Sequence, residues 1–91
     1  MTAEQKRDLR YCILRELHRA GKYGRSVRGL HTIIVTDLPG LQPEAVDAET
    51  KFLLDLHYLK ALPVNELAGT DEPFYAITSK GISYCHKEHL I

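Results

Sequence analysis

Apolar side chains recur at Leu9, Cys12, Ile13, Leu17 and Ala20, the three-and-four spacing that gathers a single stripe on a helix. Lys6, Arg7, Arg10 and Arg15 spread over the remaining surface. Thr2 can accept a first-turn amide hydrogen bond and no Gly or Pro intervenes before Gly21, so the pattern predicts an amphipathic helix over Ala3–Ala20. Gly21 and Gly24 interrupt it, and Ser26 can cap a shorter helix running to about Thr36, with Val27, Leu30, Ile33 and Ile34 turned to the core. The β-branched run Thr32–Thr36 would also suit a strand, because such side chains lose rotamer freedom in a helix. Leu38–Pro43 is a turn by its Pro39–Gly40 dipeptide, and Pro43 suits the first turn of a third helix over Glu44–Lys60. Phe52, Leu53, Leu56 and Leu59 supply its buried stripe, and Glu44, Asp47 and Glu49 complement the positive end of its dipole.

The period then changes from that of a helix to that of a strand. Leu62 and Val64 alternate around Pro63, which restricts Leu62–Leu67 to a sheet edge or a strand start. A turn through residues 68–73 leads to Phe74–Ile77, and the two runs predict an antiparallel two-stranded ribbon in which Tyr75 and Ile77 face the helices. Thr78 caps a last helix over Ser79–Glu88, with Ile82, Cys85 and His89 on one face. Gly81 in its first turn permits close approach to a neighbouring element.

Ninety-one residues make one domain with a single small core, here residues 1–91, and the fold class is α+β, mostly helical. No apolar run reaches the roughly 20 residues that span a bilayer, and the N-terminus lacks an apolar signal core, so a cytoplasmic location is expected. Cys12 and Cys85 then read as small buried hydrophobes rather than a disulfide. The formal net charge of zero conceals a division: eight basic and three acidic residues precede His31, and four basic and nine acidic follow Leu30. Every arginine lies in the first third, an asymmetry that implies an oriented surface.

Three helices, a ribbon and a closing helix resemble the winged-helix form of the helix-turn-helix superfamily. Phe52–Val64 looks like the exit of that superfamily's recognition helix, with Ala61-Leu62-Pro63 in place of its glycine turn. Tyr75-Ala76-Ile77-Thr78-Ser79-Lys80-Gly81 is similar to its Y-x-L-T-x-K-G wing return. With Ile13-Leu14-Arg15-Glu16-Leu17 as the opening helix, nearly the whole chain resembles small winged-helix proteins of Mu-like phages. The resemblance implies a three-helix core, a two-stranded wing and a C-terminal helix, and a DNA-binding, transcription-regulatory role exercised by binding alone, with no cofactor.

On that reading double-stranded DNA is the partner. The third helix enters the major groove with Thr50, Lys51, His57 and Tyr58 outward, Arg25 and Arg28 hold phosphates at the start of the second helix, and Lys80 adds a contact. Charge opposes it, since Glu44–Lys60 carries four carboxylates against two lysines while phosphate neutralisation supplies most DNA affinity. The alternative is a protein interaction module on the same fold without DNA contact. Leu54 and Tyr58 are then outward anchors, Leu90 and Ile91 extend a homodimer contact, and the acidic third helix meets the Arg-rich first helix of another copy. An enzyme is not expected: no phosphate loop, nucleophile elbow or H-E-x-x-H occurs. Cys85-His86 and His89 contain zinc-ligand types, but only Cys12 or His57 is left to complete a tetrahedron, and no metal site is assigned.

Overall fold

Thr2 and Gln5 begin the first helix, α1 (Ala3–Ala20), by a reciprocal exchange. The Gln5 amide donates to Thr2 Oγ1 at 3.1 Å and the Thr2 amide to Gln5 Oε1 at 2.8 Å, which satisfies two otherwise unpaired donors. The computed structural model describes residues 1–63 and 72–91. It is α+β and mostly helical, with four α-helices and a three-stranded antiparallel sheet among the described residues. A single 3₁₀ turn over Gly21–Tyr23 leads from α1 to a two-residue strand, β1 (Arg25–Ser26), which the hydrophobic pattern does not reveal.

The run that suits either helix or strand is helical. In α2 (Val27–Ile34), Ser26 Oγ accepts the Gly29 amide at 3.1 Å, and Leu30 and Ile34 reach the core one turn apart. Cap and spacing together outweigh β-branched propensity. Val35 and Thr36 leave the helix in turns.

The third helix, α3 (Pro43–Asp55), is shorter than expected. His57 takes a positive φ of 64°, its amide donates to the Leu54 carbonyl at 3.0 Å, and the Tyr58 amide donates to the Leu53 carbonyl at 3.1 Å. This is the Schellman arrangement that stops a helix, built on histidine where glycine is usual. Residues 56–60 are therefore not helical. Leu59 is buried as expected, but from strand β2 (Leu59–Ala61).

β2 pairs with β3 (Phe74–Ile77) in the register Leu59↔Ile77, Lys60↔Ala76 and Ala61↔Tyr75, and the Leu62 amide adds a bond to the Phe74 carbonyl at 2.8 Å. The first strand of the ribbon thus lies three residues earlier than Leu62–Leu67, because the early stop of α3 releases residues 59–61 for pairing. Residues 64–67 of that expected strand, and 68–71 of the turn, lie outside the described residues. β1 pairs with the other side of β3, giving the order β1-β3-β2. Gly24 permits this: its φ is 66°, and a Cβ there would overlap the Tyr75 carbonyl oxygen. The last helix, α4 (Ser79–Lys87), starts at Thr78, whose Oγ1 accepts the Gly81 amide at 3.1 Å. His89 lies beyond its end with φ 58°, so it does not share the helix face with Cys85.

One core joins these elements: Leu9, Ile13, Leu14 and Leu17 of α1, Leu30 and Ile34 of α2, Val46 and Leu53 of α3, Leu59 of β2 and Cys85 of α4. On α3 the buried positions are Val46, Glu49, Thr50 and Leu53. Phe52 and Leu56, expected inside, fall on one flank and are 41% and 39% exposed. Thr50, expected to project outward, is 1% exposed, and its Oγ1 has no hydrogen-bond partner. Because an unsatisfied buried hydroxyl is unfavourable, Thr50→Val should raise the unfolding free energy by about 1 kcal/mol in urea denaturation. A loss of stability would show that the hydroxyl is satisfied in solution.

Candidate interaction surface on the third helix

The shift of the buried stripe to Val46, Glu49, Thr50 and Leu53 determines what α3 shows to solvent. Its accessible face carries the carboxylates of Glu44, Asp47 and Asp55, the ammonium of Lys51, and the apolar Phe52 and Leu56. Lys51 Nζ lies 2.9 Å from Asp47 Oδ2. The hydrogen bond that the ammonium donates to that carboxylate, and the carboxylate's charge, hold the ammonium above its ordinary pKa. The one cation that α3 itself places on this face is thus already engaged, and the helix's own charges leave the face net acidic around two apolar side chains.

Phe52 is fixed from α1. The Arg10 guanidinium lies 3.8 Å from the ring centroid, while Arg10 Nε donates to Glu49 Oε2 at 2.9 Å. The Arg10 and Glu49 side chains are 29% and 8% exposed, so this ion pair is largely withdrawn from water. An arginine held simultaneously by a carboxylate and an aromatic face is rigid. Nothing in the sequence pairs residues 10 and 49.

The residues expected to read DNA are distributed unevenly. Arg28, Lys51, His57 and Lys80 are exposed, Arg25 and Tyr58 are half-buried, and Thr50 is buried. Arg25 lies in β1 opposite Tyr75, and its Nε is buried without a hydrogen-bond partner. Lys80 Nζ lies 5.4 Å from the Tyr58 ring, which stacks on Tyr84 with centroids 4.6 Å apart. Tyr11 packs at 6.5 Å from Tyr84 and its hydroxyl donates to Glu88 Oε2 at 3.5 Å. Burial first, then the Tyr11 hydrogen bond, pushes the Tyr84 phenol up to about 12. This cluster ties α1, α4 and the end of α3 together, so Tyr58 is a packing residue. Leu54 and Tyr58, expected as outward anchors, and Leu90, expected with Ile91 to extend a dimer contact, are half-buried and pack against the core, whereas Ile91 is exposed. Helix ending and chain return turn the three inward.

Cys12 and Cys85 are both free thiols, and burial pushes each above its ordinary pKa. His86 is exposed, and among the described residues no group of three or more His, Cys, Asp or Glu gathers to hold a metal. Among those residues, no helix is long and apolar enough to cross a membrane. A cleft of about 350 Å³ opens between the start of α1 and the α2–α3 connection, lined by Met1, Leu38, Leu41 and Ala45 with Asp8 and Asp37. Comparison with protein-family models, with curated proteins and with solved structures gives no match.

Proposed function

We propose that the chain is a winged-helix module that acts by binding alone, and that the exposed face of α3 receives a protein. The element order α1-β1-α2-α3-β2-β3-α4, with β3 central in the sheet, supports the winged-helix reading. The observation that carries the choice of partner is the composition of the α3 face. Glu44 and Asp55 remain after Lys51 pairs with Asp47, and with the Arg10 guanidinium over Phe52 paired to Glu49 the face is net acidic around Phe52 and Leu56. A phosphate backbone would be repelled there, and DNA affinity comes mostly from neutralised phosphates. Exposed aromatic and aliphatic side chains within a charged rim instead match the anatomy of a protein contact.

A second reading, duplex DNA, is favoured by one observation: Arg28 is exposed in the first turn of α2, with Arg25 just before that helix's cap, Ser26. One experiment separates the two. A photo-crosslinking benzophenone amino acid at position 52 should give a polypeptide adduct in cells, and the purified protein should not saturate labelled random duplex at low salt. Nonspecific DNA binders have dissociation constants of roughly micromolar to 0.1 mM at physiological salt and bind more tightly at low salt. A nuclease-sensitive adduct, or duplex binding that falls steeply with salt, would establish the DNA reading instead.

A further inference from the structure

Two exposed patches of opposite charge exist, each built around an aromatic side chain. One is the α3 face, with Glu44, Asp47, Asp55 and Phe52. The other is the corner where α1 passes into α2. Residues 15–28 hold five basic side chains and one acidic one, Glu16, whose Oε1 is taken by Arg19 at 2.9 Å. Arg19, Lys22 and Arg28 are exposed. Tyr23 in the same corner is 76% exposed, with Lys22 Nζ at 5.4 Å from its ring centroid.

We infer that the α3 face of one copy docks on the α1–α2 corner of a second copy, an inference that rests on the protein-binding reading of α3 and names its partner. The argument is complementarity within one chain. The two patches differ in the charge left over: at the corner Lys22 beside Tyr23 with Arg28 exposed in α2, and on α3 Glu44 and Asp55, since Asp47 pairs with Lys51 and the Arg10 cation over Phe52 pairs with Glu49. Opposed potentials steer encounter and fix orientation. A single contact of this kind is heterologous, and the bound pair then leaves one corner and one α3 face open. Association then extends head-to-tail into rings or chains, or closes into a symmetric pair where both contacts form reciprocally. Most of these charges are solvent-exposed, so salt weakens the contact.

Sedimentation velocity of the full chain tests this. At low salt the average sedimentation coefficient should rise with protein concentration, and at about 0.5 M salt, where the screening length is a few ångströms, it should fall to that of the monomer. Lys22→Glu with Arg28→Glu, and separately Glu44→Lys with Asp55→Lys, should each be monomeric. All four positions are exposed, and circular dichroism checks that each variant is folded. Mixed in equal amounts, the two variants should associate at least about tenfold more tightly than either alone, since reversed charges then meet across the contact. Tyr23→Ser and Phe52→Ser, which leave every charge in place, should each weaken wild-type association. Wild type that stays monomeric at about millimolar concentration, a closed salt-insensitive dimer, or a mixture that fails to associate would overturn the inference. A monomeric wild type that still yields a polypeptide adduct at position 52 would overturn only this inference and leave the protein-binding reading standing; absence of any adduct would remove both.

Discussion

Gly81→Ala is expected to lower the unfolding free energy by about 3 kcal/mol, the upper part of the range for overpacking a closely fitted site. On helix propensity alone the change should help, by about 1 kcal/mol. Packing reverses the sign. A Cβ on Gly81 would overlap the Tyr58 carbonyl oxygen and lie 2.7 Å from Ile77 Cγ1. The carbonyl is backbone and cannot rotate aside. It also accepts the Thr78 amide at 3.0 Å, so moving α4 away breaks the junction between β3 and the end of α3. Gly29→Ala is the control. In α2 its new Cβ would meet Ser26 Oγ at 3.5 Å and Arg25 Cδ at 3.8 Å, ordinary contacts. It should therefore gain about 0.5–1 kcal/mol from the reduced freedom of the unfolded chain. Urea denaturation with an unchanged m-value distinguishes the pair, and a Gly81→Ala protein as stable as wild type would mean that α4 is not seated against Tyr58.

Arg10→Met should produce a comparable loss, again about 3 kcal/mol at neutral pH, near the lower bound for breaking a buried ion pair. Glu49 is the reason. Its carboxylate, 8% exposed, loses the Arg10 Nε bond at 2.9 Å and is left without a cation. Arg10 itself is 29% exposed, which places the effect at the lower rather than the upper bound. The diagnostic measurement is a double-mutant cycle. Glu49→Leu added to Arg10→Met removes the stranded charge and should recover most of the loss, because an apolar pair of similar volume often replaces a buried ion pair without penalty. If the double variant is as unstable as the sum of the single ones, the pair is not the source. Phe52 loses its guanidinium neighbour in both variants, so that smaller contribution cancels from the comparison.

The parts of this fold legible in sequence are those fixed by short-range chemistry. Thr2, Ser26 and Thr78 each cap the helix they were expected to cap, and Pro43 opens α3. The α1 stripe at Leu9, Ile13 and Leu17 is buried as its spacing requires. The stop of α3 was not legible, because a histidine in the left-handed region carries no compositional mark comparable to glycine. That single miss displaced β2 by three residues. It also concealed that Val46, Thr50 and Leu53 form the buried stripe, a three-and-four spacing that was present in the sequence and would have placed Phe52 and Leu56 outside. β1 is too short to show a period and exists because Gly24 lets the backbone approach Tyr75. The Arg10–Glu49–Phe52 assembly joins positions 39 and 42 residues apart, which only the folded chain brings together.

Thr78 links three segments through one hydroxyl and one amide. Its Oγ1 donates to the His57 carbonyl at 2.7 Å and accepts from Gly81, while its amide reaches the Tyr58 carbonyl. The chain just after α3, the end of β3 and the first turn of α4 therefore loosen together or not at all, as one cooperative unit. How firmly the C-terminal helix stays latched thereby governs the end of α3, and if that helix face receives a protein as proposed, lesions near residue 80 should weaken binding without altering a side chain of the face.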